Sequence, residues 1–151
     1  MNTPPRIEIV DHTRRDVAVR IHAVQMRAYA QEAALLAAVR FPPLECTVED
    51  VMGDAGMFYA AFAGDELVGA LGIASASIDS LVVSPAFQRR GAGRALVEAA
   101  LARHGHKELF VQTGAKNAPA LALYAQYGFI EFERWLAGAE PLELVRLRRM
   151  P

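Results

Sequence analysis

The residues with the clearest potential for chemistry form a glycine- and arginine-containing segment in the second half of the chain. The apolar run Leu81-Val82-Val83 is typical of a buried strand, and Pro85 ends it. The segment that follows leads directly into a helical pattern and consists of Gln88, Arg89, Arg90, Gly91, Ala92, Gly93 and Arg94. A helix that begins there directs unpaired N–H groups and its positive dipole end at the loop. Because glycine lets a phosphate approach the backbone and arginine adds positive charge, the segment predicts a phosphate site.

Two familiar phosphate-binding motifs do not fit this segment. The dinucleotide fingerprint requires a glycine three residues after Gly93, where the chain has Leu96, and the G-K-[ST] of a P-loop is absent. The pattern Q/R-x-x-G-x-G/A does fit, through Gln88, Gly91 and Gly93. Together with the strand before it, this pattern resembles the pyrophosphate loop of the GNAT family of acetyl-CoA-dependent N-acetyltransferases. The alternative is a turn whose glycines only begin a helix.

A second segment, Asn117–Phe129, strengthens the resemblance. It predicts a short helix, with Pro119 in the first turn and Gly128 just after the end. The family carries N-x-x-A-x-x-L-Y-x-x-x-G-F at this distance after its phosphate loop. The matching residues here are Asn117, Ala120, Leu123, Tyr124, Gly128 and Phe129. The resemblance covers residues 58–132 well and the earlier part of the chain only in outline.

The first half of the chain predicts one strand, three helical stretches and a hairpin. Alternating residues over Arg6–Val10 indicate the strand, and Thr13-x-x-Asp16 resembles a capping box before an amphipathic helix. A second helical stretch reaches about Val39, and Thr47-x-x-Asp50 caps a third, short helix. Apolar runs on either side of Gly64-Asp65 predict a β-hairpin over residues 57–75.

Strands and helices alternate along the second half. Strands are predicted over residues 77–83, 108–113, 129–136 and 142–148, and helices over 94–103 and 117–129. The whole order predicts a single α/β domain, residues 1–151, with a mixed, mostly antiparallel sheet of six to seven strands and helices on both faces. The GNAT fold has this order of elements. By that resemblance the fourth and fifth strands, 77–83 and 108–113, separate and hold the cofactor between them.

The resemblance implies acetyl-CoA as the cofactor and assigns roles to both motifs. The backbone of the fourth strand at Leu81, Val82 and Val83 would pair with the pantetheine arm and polarise the thioester carbonyl. Residues 88–94 would hold the pyrophosphate, and Asn117 would hydrogen-bond the pantetheine arm. Tyr124 would contact the cofactor and protonate the leaving thiolate, because a phenol with an ordinary pKa of about 10 is a suitable donor. The alternatives are a helix-capping Asn117 and a core Tyr124.

The general base is not identified by the motifs. Family members that use a glutamate carry it at the start of the fourth strand or on the fifth, where this chain has Ser77 and Gln112. Neither side chain can accept a proton from an amine. Asp79, Glu32 and His22 remain candidates by residue type, and direct binding of a neutral amine is a further option. In this fold the acceptor pocket maps to residues 28–46 and 136–140, so Tyr29, Glu32, Phe41 and Trp135 are the informative side chains nearby.

Composition limits the classes of partner. The net charge is −1, so no bulk attraction to nucleic acid or to a membrane surface is expected. The single cysteine, Cys46, excludes an internal disulfide, and with no signal-like or bilayer-spanning segment it favours a cytoplasmic protein. The four histidines do not form ligand spacings with Cys46, so no metal site is predicted.

These observations predict an enzyme that moves the acetyl group of acetyl-CoA to a primary amine of a small molecule or a peptide N-terminus, by direct attack in a ternary complex. One alternative is a protein N-terminal acetyltransferase, which Gln112 argues against. Another is a catalytically silent acyl-CoA-binding or sensing domain, with which the missing glutamates are compatible. Pairing of the final strands into a homodimer is a further option that the family suggests.

Overall fold

The computed structural model describes residues 3–138 and 142–151, which contain one seven-stranded sheet and four α-helices. The strands are β1 (Arg6–Val10), β2 (Met57–Ala63), β3 (Glu66–Ala74), β4 (Ser77–Val83), β5 (Leu109–Gly114), β6 (Ile130–Ala137) and β7 (Leu142–Arg149). The helices are α1 (Arg15–Leu35), α2 (Val48–Met52), α3 (Ala92–His104) and α4 (Ala118–Gln126). None of the helices described is long and apolar enough to cross a membrane.

The sheet has the order β1-β2-β3-β4-β5-β7-β6, and all neighbouring strands except β4 and β5 are antiparallel. One face packs on α1 and α2 through a cluster that includes Ile21, Phe58 and Val82. The other face packs on α3 and α4 through a cluster that includes Leu96 and Tyr124. The predicted mixed, mostly antiparallel sheet with helices on both faces is therefore confirmed.

The first helical region differs from the prediction in two ways. The capping box at Thr13 is wrong, because Asp11 Oδ1 accepts the Thr13 backbone N–H and hydroxyl and the helix begins after Arg14. The two predicted helical stretches are one helix that ends at Leu35, short of Val39. This 21-residue segment contains neither glycine nor proline, so nothing in it interrupts the backbone hydrogen bonds. The capping box of α2 is confirmed: Thr47 Oγ1 accepts the Asp50 N–H, and the Asp50 side chain accepts the Thr47 N–H.

The two central strands, β4 and β5, pair only at their starts. Ser77 lies opposite Phe110 and Ile78 opposite Val111, and the ladder ends there. The next residue of β4, Asp79, is an extra residue in the pairing with β3, which runs Gly72–Ser80 and then Ile73–Ile78. A bulge of this kind bends a strand and increases its local twist. The bulge therefore turns the rest of β4 away from β5 and opens a cleft between them.

Candidate active site

The loop after β4 has the backbone conformation of an anion-binding nest at the start of α3. The N-cap residue Gly91 has a φ of +86°, and Arg89 has a φ of +63°, so two residues of the loop are left-handed. Among the described residues, the N–H groups from Arg89 to Arg94 donate to no backbone carbonyl, and no side chain caps the helix. Successive N–H groups in such a conformation form a concave nest for anions, and the dipole of α3 adds to it. The loop therefore has the backbone geometry that a pyrophosphate needs.

The two glycines of the motif differ in what they contribute. A Cβ at Gly91 would meet nothing within 4 Å, so its positive φ is what favours glycine there. Gly93 lies inside α3 and has no positive φ, and a Cβ there would be 3.5 Å from the Leu123 side chain, an ordinary contact. Of these two glycines, only Gly91 has a backbone conformation that disfavours other residues. At Gly93 the absence of a side chain only leaves room for a ligand beside the first turn of α3.

The charged and amide side chains of the loop are held in different ways. The Gln88 amide nitrogen lies 3.2 Å from the Val83 carbonyl oxygen and 2.6 Å from Gln31 Oε1, so it ties the loop to β4 and to α1. The guanidinium of Arg90 stacks 5.2 Å from the centre of the Phe87 ring. The Nε of Arg94 lies 3.4 Å from the Tyr127 hydroxyl at the end of α4. Gln88 thus positions the loop, and its amide is already engaged before any phosphate is bound.

A cavity of about 290 Å³ lies in the cleft where β4 and β5 separate. The side chains and backbone around it come from α1, the loop after it, β4, β5, α4 and β7. They include nine of the residues that the sequence singled out for chemistry: Tyr29, Glu32, Phe41, Ser77, Asp79, Leu81, Gln112, Asn117 and Tyr124. No lysine, arginine or histidine lines it among the residues that the structure describes.

Tyr124 reaches the cavity from α4. Its side chain is 4 % exposed and its ring packs against Phe129 with a centroid distance of 5.6 Å. Among the described residues its hydroxyl makes no hydrogen bond with another side chain or with the backbone, although it lines the cavity. Burial raises the pKa of this phenol, and the nearby Glu32 and Tyr29 raise it further. The hydroxyl is therefore a protonated donor at neutral pH with no hydrogen-bond partner among the described residues.

Asn117 caps α4 and also lines the cavity. Its Oδ1 accepts the Ala120 N–H at 3.3 Å and caps α4. Its Nδ2 lies 3.4 Å from Thr113 Oγ1 on β5, which joins the helix start to the cleft wall. The residue also lines the cavity, so its amide is within the region where a pantetheine arm would lie.

The candidate bases separate into two groups. Glu32 on α1 and Asp79 on β4 both line the cavity, and burial raises the pKa of each carboxyl, with Asp54 adding to the effect at Asp79. His22 is elsewhere: its Nε2 lies 2.8 Å from the Cys46 carbonyl oxygen. The two positions where relatives carry glutamate, Ser77 and Gln112, do line the cavity but hold no acid.

Of the three aromatic residues predicted near the acceptor, two line the cavity and one does not. Tyr29 and Phe41 contact each other edge to face at 6.1 Å and both line the cavity. Trp135 lies on β6 at the edge of the sheet and does not line it. Part of the predicted acceptor loop, residues 139 and 140, lies outside the described residues. A larger cavity of about 440 Å³ lies beside Phe87 and Arg90 and is bordered by residues 3–6, but it contains no acid–base pair.

Residues 31–129 match the family model described as the acetyltransferase (GNAT) family. The chain belongs to the GNAT family. It is 31 % identical over 132 residues to the UPF0157 protein YqkA of Bacillus subtilis, across 84 % of this chain and 38 % of that protein. It is 37 % identical over 95 residues to a ribosomal protein bS18-alanine N-acetyltransferase of Salmonella typhimurium, across 61 % of this chain and 57 % of that protein. The chain thus spans less than two-thirds of the length of these curated relatives.

Solved GNAT structures share the fold of this family member at low sequence identity. The apo form of YjaB from Escherichia coli has a TM-score of 0.75 at 23 % identity, across 97 % of each chain. The ribosomal-protein-S18-alanine N-acetyltransferase of Escherichia coli has a TM-score of 0.72 at 20 % identity, across 99 % of this chain and 94 % of that one. The yncA protein of Salmonella typhimurium, solved with acetyl-CoA, has a TM-score of 0.74 at 14 % identity, across 98 % and 94 %.

Proposed function

We propose that this GNAT chain transfers the acetyl group of acetyl-CoA to a primary amine by direct attack in a ternary complex. The observation that carries the proposal is the unpartnered Tyr124 hydroxyl in the cavity between the separated strands β4 and β5. The N–H nest before α3 follows β4 along the chain, and β4 forms one wall of this cavity. A thioester bound along β4, with phosphates at its far end, would use both sites.

The residues of the loop and of β4 would hold acetyl-CoA in this arrangement. The N–H groups of residues 89–94 would bind the pyrophosphate, with Arg89, Arg90 and Arg94 supplying positive charge. The backbone of Leu81, Val82 and Val83 would contact the pantetheine arm, since β4 has no β5 partner beyond Ile78. Asn117 would reach the same arm from α4. When bound, acetyl-CoA supplies an activated acetyl carbonyl and a thiolate leaving group.

Tyr124 would act as the general acid. Burial keeps this phenol protonated, so its proton is available to a developing thiolate, whose own pKa is about 8.5 in a free cysteine. The same raised pKa makes the phenol a weaker acid than a free tyrosine, so the proton would move only as negative charge develops on the sulfur. Backbone N–H groups at the cleft, rather than a metal, would stabilise the negative charge that develops on the carbonyl oxygen.

Two observations bear on the acceptor. The relatives named as ribosomal protein bS18-alanine N-acetyltransferases favour a peptide N-terminus, and the aromatic pair Tyr29 and Phe41 would cover an apolar group beside the amine. The presence of Gln112 on β5 favours instead a small amine or a silent acyl-CoA-binding domain. Tyr29 and Glu32 are the acceptor contacts in either enzyme.

A melting experiment followed by a turnover screen tests this proposal. Acetyl-CoA at 100 times its Kd should stabilise the fold by about 2.7 kcal/mol, whereas NAD and ATP should not. Release of free CoA is then followed against a panel of amines, amino acid amides and N-terminal peptides. Stabilisation together with turnover supports the enzyme, and stabilisation without turnover of any amine indicates the silent binder. Stabilisation by NAD or ATP instead would contradict the cofactor assignment.

A further inference from the structure

The cavity lacks a base at both positions where relatives carry glutamate, yet it is not without carboxylates. Ser77 and Gln112 stand on the β4 and β5 walls. Opposite them α1 contributes Glu32, which is half-buried and forms no ion pair among the described residues. A half-buried carboxylate that lines a cavity keeps part of its hydration and can form a charge-assisted hydrogen bond with a cation that enters. The ammonium group of the acceptor would be such a cation.

Glu32 is better placed for this than Asp79, the other carboxylate of the cavity. Glu32 and Tyr124 line the same cavity, and of the two acids only Glu32 raises the pKa of the Tyr124 phenol. Asp79 is the exposed extra residue of the β4 bulge and interacts instead with Ser77 and Asp54. Because Tyr124 marks where the thiolate would leave, the reacting amine must lie near it, and so near Glu32.

We infer that Glu32 binds the ammonium group of the acceptor and accepts its proton, so that the acceptor is a cationic primary amine with no carboxylate beside the reacting nitrogen. The second half of this inference follows from the charges of the cavity. Glu32 and Asp79 are both acidic, and no cationic side chain among the described lining residues could pair with an acceptor carboxylate. The inference rests on the proposed acetyl transfer and extends it to a substrate class.

The proton transfers balance in this arrangement. Glu32 accepts one proton from the ammonium and later releases it to solvent. The amine nitrogen forms a bond to the thioester carbonyl carbon, and the carbon–sulfur bond breaks with its electron pair going to sulfur. Tyr124 gives its proton to that sulfur and regains one from the nitrogen, which leaves the amide, the free thiol and one released proton.

The titratable and charged groups around Glu32 influence the pKa of its carboxyl. Tyr29 lies on the same helix, Tyr124 faces it from α4, and Asp79 faces the cavity from β4. In the loop after α1, Arg40 is bound to Glu45 at 2.8 Å and is not available to Glu32. Burial raises the pKa of the Glu32 carboxyl, which makes it a stronger base than an exposed glutamate. Activity should rise with pH through this raised pKa.

The test compares Glu32→Gln with Glu66→Gln, a matched control at the exposed start of β3. Alaninamide and alanine serve as acceptors. Because the carboxylate of alanine also raises the pKa of its amine, their kcat/KM values are compared after correction for the fraction of neutral amine. In the wild type and the control we expect kcat/KM for alaninamide to exceed that for alanine at least tenfold. In Glu32→Gln we expect kcat/KM at pH 7 to fall at least tenfold, and the acid limb of the pH profile to be replaced by the titration of the free amine.

Calorimetric titration of alaninamide into the CoA-saturated protein gives a second readout that does not depend on turnover. Glu32→Gln should weaken this binding about tenfold and should not lower the melting temperature, because it removes a half-buried charge. Unchanged binding and an unchanged pH profile in Glu32→Gln, with amine turnover intact, would overturn the inference and leave the proposed function standing. A preference for alanine over alaninamide would overturn the substrate class. Acetyl-CoA binding without turnover or alaninamide binding would contradict both proposals.

Discussion

The two parts of the predicted site are built in different ways. The predicted anion site comes from six consecutive residues, 89–94, and depends on backbone N–H groups and on the positive φ of Gly91. The acid–base cavity comes from side chains on α1, β4, β5 and α4, which are far apart in the chain. A local motif can therefore specify the first site almost completely. The second exists only after the sheet has brought four elements together.

This contrast explains which features the sequence could predict. The strands, α3, α4 and the α2 capping box depend on local patterns, and the structure has them within a few residues of the predicted bounds. The single long α1 was missed because no local signal separates one helix from two when neither Gly nor Pro intervenes. The bulge at Asp79 was missed because it depends on the register against β3. Among the candidate bases, Glu32 and His22 were equivalent by type, and only the packing of α1 against the cleft separates them.

The largest effect is expected from removing the proton donor of the cavity. Tyr124→Phe keeps the ring and its packing on Phe129, so the fold should persist. General acid catalysis contributes about 10²–10⁴-fold, and kcat should fall by that amount with little change in the KM for acetyl-CoA. The measurement is steady-state kinetics at a pH where chemistry limits the rate. Tyr59→Phe is the control, since its hydroxyl contacts His104 away from the cavity. An unchanged kcat in Tyr124→Phe would mean that the thiolate leaves without this acid.

The next largest effect is expected in the loop 89–94, whose backbone N–H groups form the predicted anion site. Gly91→Val forces a β-branched residue to a φ of +86°, at a cost of about 1–3 kcal/mol if the loop keeps its shape. We expect the loop to relax, the N–H nest to be lost, and the Kd for acetyl-CoA to rise about tenfold or more in calorimetric titrations.

Gly93→Ala is the matched variant for this experiment. Its backbone is helical and its Cβ would have room, so it should stabilise the free protein by about 0.5–1 kcal/mol. If acetyl-CoA binding weakens nonetheless, the ligand approaches the helix start at Gly93. Equal losses of stability and of binding in Gly91→Val would instead indicate glycines that serve the turn alone.

A smaller effect is expected at Asn117, which caps α4 and lines the cavity. Asn117→Ala removes the cap of α4 and should cost about 1 kcal/mol of stability in denaturant titrations. Asn117→Asp keeps an oxygen to accept the Ala120 N–H but loses the amide donor near Thr113. We expect Asn117→Asp to recover most of the stability and to keep a raised KM for acetyl-CoA. Full recovery of both properties would limit Asn117 to its capping role.

The smallest change in stability is expected at Ser80, on the β4 wall of the cavity. Its Oγ is buried and has no hydrogen-bond partner among the described residues. Tyr29 lies nearby: burial raises the pKa of the Tyr29 phenol to about 12, and Ser80 acts in the opposite direction. A buried hydroxyl without a partner costs about 1–3 kcal/mol of desolvation, so Ser80→Ala should leave the melting temperature unchanged or raise it.

Ser80 lines the cavity next to the β4 bulge, so an acceptor or cofactor group could be the partner of its Oγ. If so, Ser80→Ala lowers kcat/KM severalfold in a protein that is no less stable. A loss of stability without a change in kcat/KM would show instead that Ser80 supports the wall through Tyr29, which would make this side of the cavity structural.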